Sequence, residues 1–233
     1  MKDREKGQNS LLISVIMSVY NDESNITDSV NSILFQTEEN LEFLIIDDGS
    51  TDNTFELLNT FKDKRIKIFK NENNIGLTKS LNKLINSSKG EYIARQDSDD
   101  FSIQQRFQTQ IEYIKDHNLD ACTSRALIKS KKRIIPRYSY YFPNSLVMKY
   151  KNPFIHGSLM IKKDTIMSVG LYNEKFKYAQ DYKLFDDLIN ANYRIGTIKE
   201  PLYYLNMENN ISTLKLNEQQ YYADCVRQNK LPE

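Results

Sequence analysis

Leu41-Glu42-Phe43-Leu44-Ile45-Ile46-Asp47-Asp48-Gly49-Ser50-Thr51-Asp52 decides the fold. Leu41 to Ile46 is an apolar run of strand length, as expected of a strand buried on both faces. Two acids and a Gly-Ser turn end it abruptly. Thr51 or Asp52 is then placed to cap a helix through Phe61.

The same unit recurs on either side. Leu12 to Val19 is a β-branched strand, followed by a helix from Ser24 to Phe35 with Ile26, Val30, Ile33 and Leu34 at helical spacing. Arg65 to Phe69 is a third strand. Gly76 then precedes a helix carrying Leu77, Leu81, Leu84 and Ile85. Glu91 to Arg95 is a fourth strand, and Phe107 to Ile114 belongs to the next amphipathic helix. Four strand–helix repeats predict an α/β fold with a Rossmann-like, mostly parallel central sheet flanked by helices. Ligands of such sheets bind outside the carboxyl ends of the strands. Polar clusters follow three of the strands, at Tyr20-Asn21-Asp22, Asp47 to Ser50 and Asp97 to Asp100, and they should meet in one cleft.

The later part is less regular. Leu119 to Ser124, Ser158 to Ile161, Ile195 to Ile198 and Leu202 to Leu205 read as short strands, Tyr182 to Ile189 as a helix, and Asn217 to Gln228 as a closing helix. Residues 1–10 read as a mobile tail and 11–233 as one domain, with a first half at about 11–125 and a smaller lobe at about 126–233.

Composition narrows the function. Lys+Arg 32 against Asp+Glu 31 disfavours a nucleic-acid binder. No apolar run reaches the ~20 residues needed to span a bilayer. The charged start lacks a signal-peptide core, and Cys122 and Cys225 form no disulfide framework or zinc motif. A reduced, cytoplasmic protein is the simplest expectation.

Asp97, Asp99 and Asp100 crowd one strand end, so a cation is their natural partner. Hard divalent ions such as Mg²⁺ or Mn²⁺ prefer oxygen ligands and keep positions open for phosphate oxygens. In extended chain Asp97 and Asp99 project to the same side. One can bind the metal while the other holds a ribose hydroxyl or a metal-bound water. A solvated acidic turn, with Asp100 or Ser102 capping the next helix, is the competing reading.

These residues also resemble a known family. Ser14 to Asn21 is similar to the opening strand of family 2 glycosyltransferases, and Ile45 to Asp52 resembles its second-strand motif. Asn73-Asn74-Ile75-Gly76-Leu77 and Ala94 to Asp100 resemble the third and fourth blocks, the last with an Asp-x-Asp element. His156-Gly157-Ser158 and Gln180-Asp181-Tyr182 resemble the acceptor-side blocks. The resemblance runs from about Ser14 to Leu205. It implies the GT-A fold, with a nucleotide-sugar half and an acceptor half, and a metal-dependent hexosyl or N-acetylhexosaminyl transfer with inversion. The implied donor is a nucleoside-diphosphate sugar, usually a UDP-sugar, and the cofactor Mn²⁺ or Mg²⁺. The implied acceptor is a glycan or lipid-linked saccharide in bacterial surface polysaccharide assembly.

By the same resemblance Tyr20 lies against the uracil ring and Asp48 accepts from its edge. Asp97 contacts the ribose or the metal site, Asp99 ligates the metal, and Asp181 matches the catalytic base. The family often has Glu where Gln180 stands, and Asp181 read alone is a helix N-cap. His156 has two readings, a ligand of metal or phosphate and a structural hydrogen-bonder. Arg95 either neutralises phosphate or pairs with the adjacent acids. Asn74 and Gly76 shape a donor-side turn or simply cap the next helix. Asp47 faces the cleft or bonds its own turn. Lys129 to Arg133 reads as a solvated loop, or as a contact for anionic lipid head groups or a lipid diphosphate at the inner face of the membrane. Tyr138 to Phe142 and Tyr203-Tyr204 stack on sugars or pack the core. The absence of Trp excludes a Gln-x-x-Arg-Trp element and favours transfer of a single sugar.

Two other classes compete. A sugar nucleotidyltransferase expects an early Gly-rich loop, which Val19-Tyr20-Asn21-Asp22 lacks, and no G-x-G-x-x-G supports an oxidoreductase. A non-catalytic nucleotide-sugar-binding or interaction module draws its support from Gln180.

Overall fold

The computed structural model describes residues 11–207 and 215–233. The tail expected at residues 1–10 lies outside the described residues. The strands are β1 (Ile13–Val19), β2 (Leu41–Asp47), β3 (Ile66–Lys70), β4 (Tyr92–Arg95), β5 (Phe101–Ser102), β6 (Ala121–Ile128), β7 (Arg133–Ile135), β8 (Met160–Lys162) and β9 (Ile195–Leu205). The helices are α1 (Ile26–Leu34), α2 (Thr54–Leu58), α3 (Leu77–Ser87), α4 (Arg106–Asp116), α5 (Asn144–Val147), α6 (Lys163–Ser168), α7 (Gln180–Asn190) and α8 (Leu216–Arg227).

The strands form one sheet in the order β3-β2-β1-β4-β8-β6-β9-β5, with β7 paired to β6. β1, β2, β3 and β4 are mutually parallel neighbours, and β9 runs parallel to β6. β8 enters antiparallel between β4 and β6. Alternation along the central strands feeds two cores. Val15, Met17, Phe43 and Ile45 pack with Ile26, Val30, Ile33 and Phe107 of α1 and α4. Ile16, Leu44 and Ile46 pack on the other face with Leu81, Leu84 and Ile85 of α3 and Phe185 of α7. The apolar runs therefore have no solvent face, which is why they read as continuous.

The chain proceeds outward from β1 through β2 to β3 and returns to β1's other side as β4. The order thus reverses at β1, and the crevice opens at the carboxyl ends of β1 and β4. The acidic turns after β1, β2 and β4 border it.

Several expectations are corrected. Lys129 to Lys132 form an exposed turn, as the loop reading expects, and only Arg133 departs from it, opening β7, which pairs back on Ala126 to Ile128 as a hairpin. The two strands expected at 195–198 and 202–205 are one strand, which crosses Pro201 through shifts in register against Ser124 to Ala126. α2 stops at Leu58 rather than Phe61. Neither Asp100 nor Ser102 caps α4. Ser102 belongs to β5, and Asp100 Oδ1 accepts from the Asn206 amide at 2.8 Å.

Gly49 must be glycine for two reasons. Its φ is +78°, and a Cβ there would lie 2.7 Å from the carbonyl carbon of Asn73. The left-handed angle costs roughly 1–2 kcal/mol for an L residue and crowding adds roughly 1–3. Gly49→Ala should therefore lower unfolding free energy by about 2–5 kcal/mol in a urea titration. A loss below about 1 kcal/mol would show that the turn yields freely.

Candidate active site

The loops after β1 and β2 are laced together. Asn21 Oδ1 accepts from the Thr51 amide at 2.8 Å, and the Asp22 amide donates to Thr54 Oγ1 at 2.9 Å. Tyr20 stands at the mouth, half exposed. Asp48 lies beneath, buried, and holds the next turn. Its Oδ1 accepts from Asn71 Nδ2 at 2.8 Å and the Ile75 amide at 3.0 Å, and its Oδ2 from the Gly76 amide at 2.9 Å. Asp47 bonds its own turn, accepting weakly from the Ser50 amide at 3.3 Å, while its buried Oδ2 has no partner. Asn74 is exposed on the turn that Asp48 fixes. Gly76 takes φ +92° ahead of α3.

The turn after β4 is built on buried cations. Arg95 is 1% exposed, and its guanidinium pairs with Asp97 Oδ1 and the Gln96 carbonyl. Of its two readings the structure displays the pairing with a neighbouring acid. The Asp97 amide donates to Tyr203 Oη at 3.0 Å, and the Asp97 carbonyl accepts from Ser29 Oγ at 2.8 Å. Tyr203 is therefore core and scaffold rather than an exposed sugar platform.

Asp99 is partly buried, and its carboxyl is pushed up to about 7, first by burial, then by the charges of Asp97 and Asp22. Asp100 is driven up by burial and by Asp97 and Asp99. Asp22, which the sequence placed in the polar cluster after β1 without a role of its own, belongs to this cluster. Ser98 Oγ donates to Asp22 Oδ2 at 2.6 Å, which ties the β1 loop to the β4 turn.

The acceptor-side residues converge on the same place. The helical turn His156–Ser158 sits beside β4 and β6. His156 Nε2 lies 2.8 Å from Tyr172 Oη, so the imidazole is engaged as a hydrogen-bonder. Burial and the Arg95 charge lower its pKa, while Asp181 and Asp97 pull it the other way. Burial pushes the Tyr172 hydroxyl up, and Arg95, Asp181 and Asp97 act on it too. Asp97 and Asp181 thus share one electrostatic neighbourhood, although 84 positions separate them (181 − 97). Asp181 is not the cap of α7. It is the helix's second residue, after Ala179 in the capping position, and its Oδ2 accepts from Asn152 Nδ2 at 2.7 Å.

Among the described residues no three His, Cys, Asp or Glu side chains converge as a ready metal cage. The donor set still fits a hard cation. Asp97 and Asp22 set an acidic environment around Asp99 that Arg95 offsets only in part, and such ions accept one or two carboxylates and complete their shell with phosphate oxygens and water.

Residues 14–170 match the family model described as Glycosyl transferase family 2. The chain belongs to that family. Among its relatives is UDP-Glc:alpha-D-GlcNAc-diphosphoundecaprenol beta-1,3-glucosyltransferase WfaP of Escherichia coli, 30% identical over 216 residues that cover 89% of this chain and 82% of the relative. S. aureus TarS 1-349 in complex with UDP-GlcNAc superposes with a TM-score of 0.76 at 21% identity, covering 96% of this chain and 68% of that one. Mannosyltransferase PcManGT from Pyrobaculum calidifontis, in complex with GDP-Man and Mn²⁺, gives 0.75 at 18% identity, covering 94% and 65%. Against the full TarS chain the coverage of that protein falls to 41%. These likenesses establish the mostly parallel GT-A sheet in this family 2 glycosyltransferase.

The raised Asp99 carboxyl fixes a pH dependence for the cation-free chain. Between the ordinary carboxylate range and about 7 the folded state holds a proton that the unfolded state has lost. Stability from this group is therefore present at low pH and lost as pH rises through about 7. Asp99→Asn should melt above the parent chain at pH 8, with the gap closing toward pH 5. An equal or lower melting temperature at pH 8 would refute the electrostatic account.

Proposed function

We propose that the chain is an inverting, cation-dependent glycosyltransferase that moves one sugar from a UDP-sugar to a glycan or lipid-linked acceptor in surface polysaccharide assembly. What supports it is that the His156–Ser158 turn packs against Asp97, while the charges of both Asp97 and Asp181, from opposite halves of the chain, act on His156 and Tyr172. Inversion needs a base on one face of the sugar and a stabilised leaving group on the other.

In this reading Tyr20 stacks on the uracil and Asp48 recognises its edge, with the Asn74 turn beside it. Asp97 holds the ribose side, buttressed by Arg95. Asp99 holds Mn²⁺ or Mg²⁺, with His156 as a further candidate. A bound cation supplies neutralisation of the charge that develops on the departing diphosphate. Asp181 takes the acceptor hydroxyl's proton as its oxygen bonds to the anomeric carbon and the bond to the diphosphate oxygen breaks. Asn152 orients that carboxylate, and no second hydrogen bond reaches it among the described residues. The UDP-Glc in the name of WfaP and the UDP-GlcNAc in the TarS complex support a uridine donor, whereas the PcManGT complex holds GDP-Man.

Calorimetry with UDP, GDP and a UDP-sugar panel, with and without Mn²⁺, tests the donor half. UDP should bind more tightly with Mn²⁺, and Asp99→Asn should lose that dependence. Asp181→Asn should keep donor binding and slow sugar transfer or slow donor hydrolysis by about 10²–10⁴-fold. Unchanged turnover by Asp181→Asn would remove it as the base, and failure of every nucleotide to bind would leave an interaction module.

A further inference from the structure

The acceptor side carries a charge asymmetry that the net charge of +1 conceals. Between Asp120 and Asp164 no Asp or Glu occurs, and all ten charged residues there are Lys or Arg. Three of them, Arg133, Arg137 and Lys151, line one cleft of about 310 Å³, with Tyr138 and Phe154 among its walls. None of the three forms an ion pair among the described residues. The wall is anchored, because Arg125 Nε donates to the Pro136 carbonyl at 3.1 Å. Three like charges facing one concavity repel each other, and an anion relieves that repulsion.

The rim is apolar. Tyr141, Phe142 and Tyr150 are 71%, 56% and 72% exposed, and Leu146 beside them is also exposed. Cation and hydrocarbon surface therefore stand together, which suits an amphiphile with an anionic head. One cleft residue also reaches the reaction centre, since Asn152 lines the cleft and donates to Asp181 Oδ2.

We propose that this cleft is the acceptor subsite for a lipid diphosphate, its phosphates held by Arg133, Arg137 and Lys151 and its chain laid over the aromatic rim. The inference rests on the reading of Asp181 as base, because that reading makes the cleft's neighbour the point of attack. Guanidinium forks match phosphate oxygens in two-point contacts. A neutral glycan would use neither the cations nor the rim. A polyol phosphate would use the cations alone. A bilayer would bear on the exposed Lys131 and Lys132 of the hairpin as much as on the cleft's own exposed cations.

The probe is geranyl diphosphate, titrated calorimetrically into the full chain without divalent cation. It should bind, and the Arg133→Ser, Arg137→Ser double variant should weaken binding at least about tenfold. That variant should still bind UDP with Mn²⁺, which shows that it is folded. Asp99→Asn should bind geranyl diphosphate as the parent does, and Tyr141→Ser with Phe142→Ser should weaken it. Failure to bind overturns the proposal. So does loss of binding in Asp99→Asn but not in the arginine variant, which would place the probe in the donor site. Equal affinity for inorganic pyrophosphate or glycerol phosphate would remove the lipid. Capture by phosphatidylglycerol-containing vesicles that Lys131→Glu with Lys132→Glu abolishes, without geranyl diphosphate binding, would assign the surface to a membrane. The UDP titration reads the transferase assignment separately, so either conclusion can fail alone.

Discussion

Two buried guanidinium groups hold the carboxyl edge of the sheet in one arrangement. Arg106, at the start of α4, is fully buried without a carboxylate partner, and burial brings its pKa down to about 10. Its nitrogens donate instead to Gln110 Oε1 at 3.0 Å, Gln96 Oε1 at 3.1 Å, Ser102 Oγ at 2.7 Å and the Arg95 carbonyl at 2.8 Å. A buried charge is tolerated only when its donors are met, so these bonds form together or the segment does not fold this way. They tie the end of β4 to β5 and α4. Arg95 then fixes Asp97. The acids of the turn cannot drift apart to relieve their repulsion, and the strain falls on Asp99.

The second half completes the site by threading back into the first half's sheet. β8 pairs with β4, and this brings the His156–Ser158 turn against Asp97. Gly157 marks the closeness, since a Cβ there would lie 2.6 Å from Asp97 Oδ2 and 2.5 Å from Tyr203 Oη. Tyr203 arrives from β9 and Tyr172 from the loop after α6. A carboxylate presented from α7 can then oppose the acidic turn across a sugar, although no single βα unit could offer both faces.

Sequence periodicity revealed the first four strands and their helices because β1, β2 and β4 are buried on both sides, the edge strand β3 still carries a short apolar alternation, and each helix buries one face. It was silent where pairing depends on distant partners. β5 has two residues and is defined by Tyr203 and Tyr204. β7 hides in a basic run because only one short edge pairing holds it. β9 looked like two strands because Lys199-Glu200-Pro201 interrupts its apolar pattern. At the candidate site, motif resemblance pointed to Asp48, Asp97, Asp99 and Asp181. It could not find what those residues touch. Asp22 reaches Ser98 across 76 positions, Asn152 reaches Asp181 across 29, and Tyr172 meets His156 across 16. Such contacts are made by the fold, and no local pattern announces them.

Gln180 was the strongest sign against catalysis, and its surroundings weaken that argument. Its side chain is buried at the first position of α7, whereas Asp181 is partly exposed toward Asn152. A carboxylate at the Gln180 position would be a buried charge directly beside the proposed base. Burial disfavours the charged form of an acid there, and a second negative charge nearby would add to that cost. An amide fills the same space with no such cost. In the proposed mechanism the exchange leaves in place the one carboxylate needed as an acceptor of the proton. The alignment of that carboxylate falls to Asn152, a residue outside the motif, on the wall of the cationic cleft.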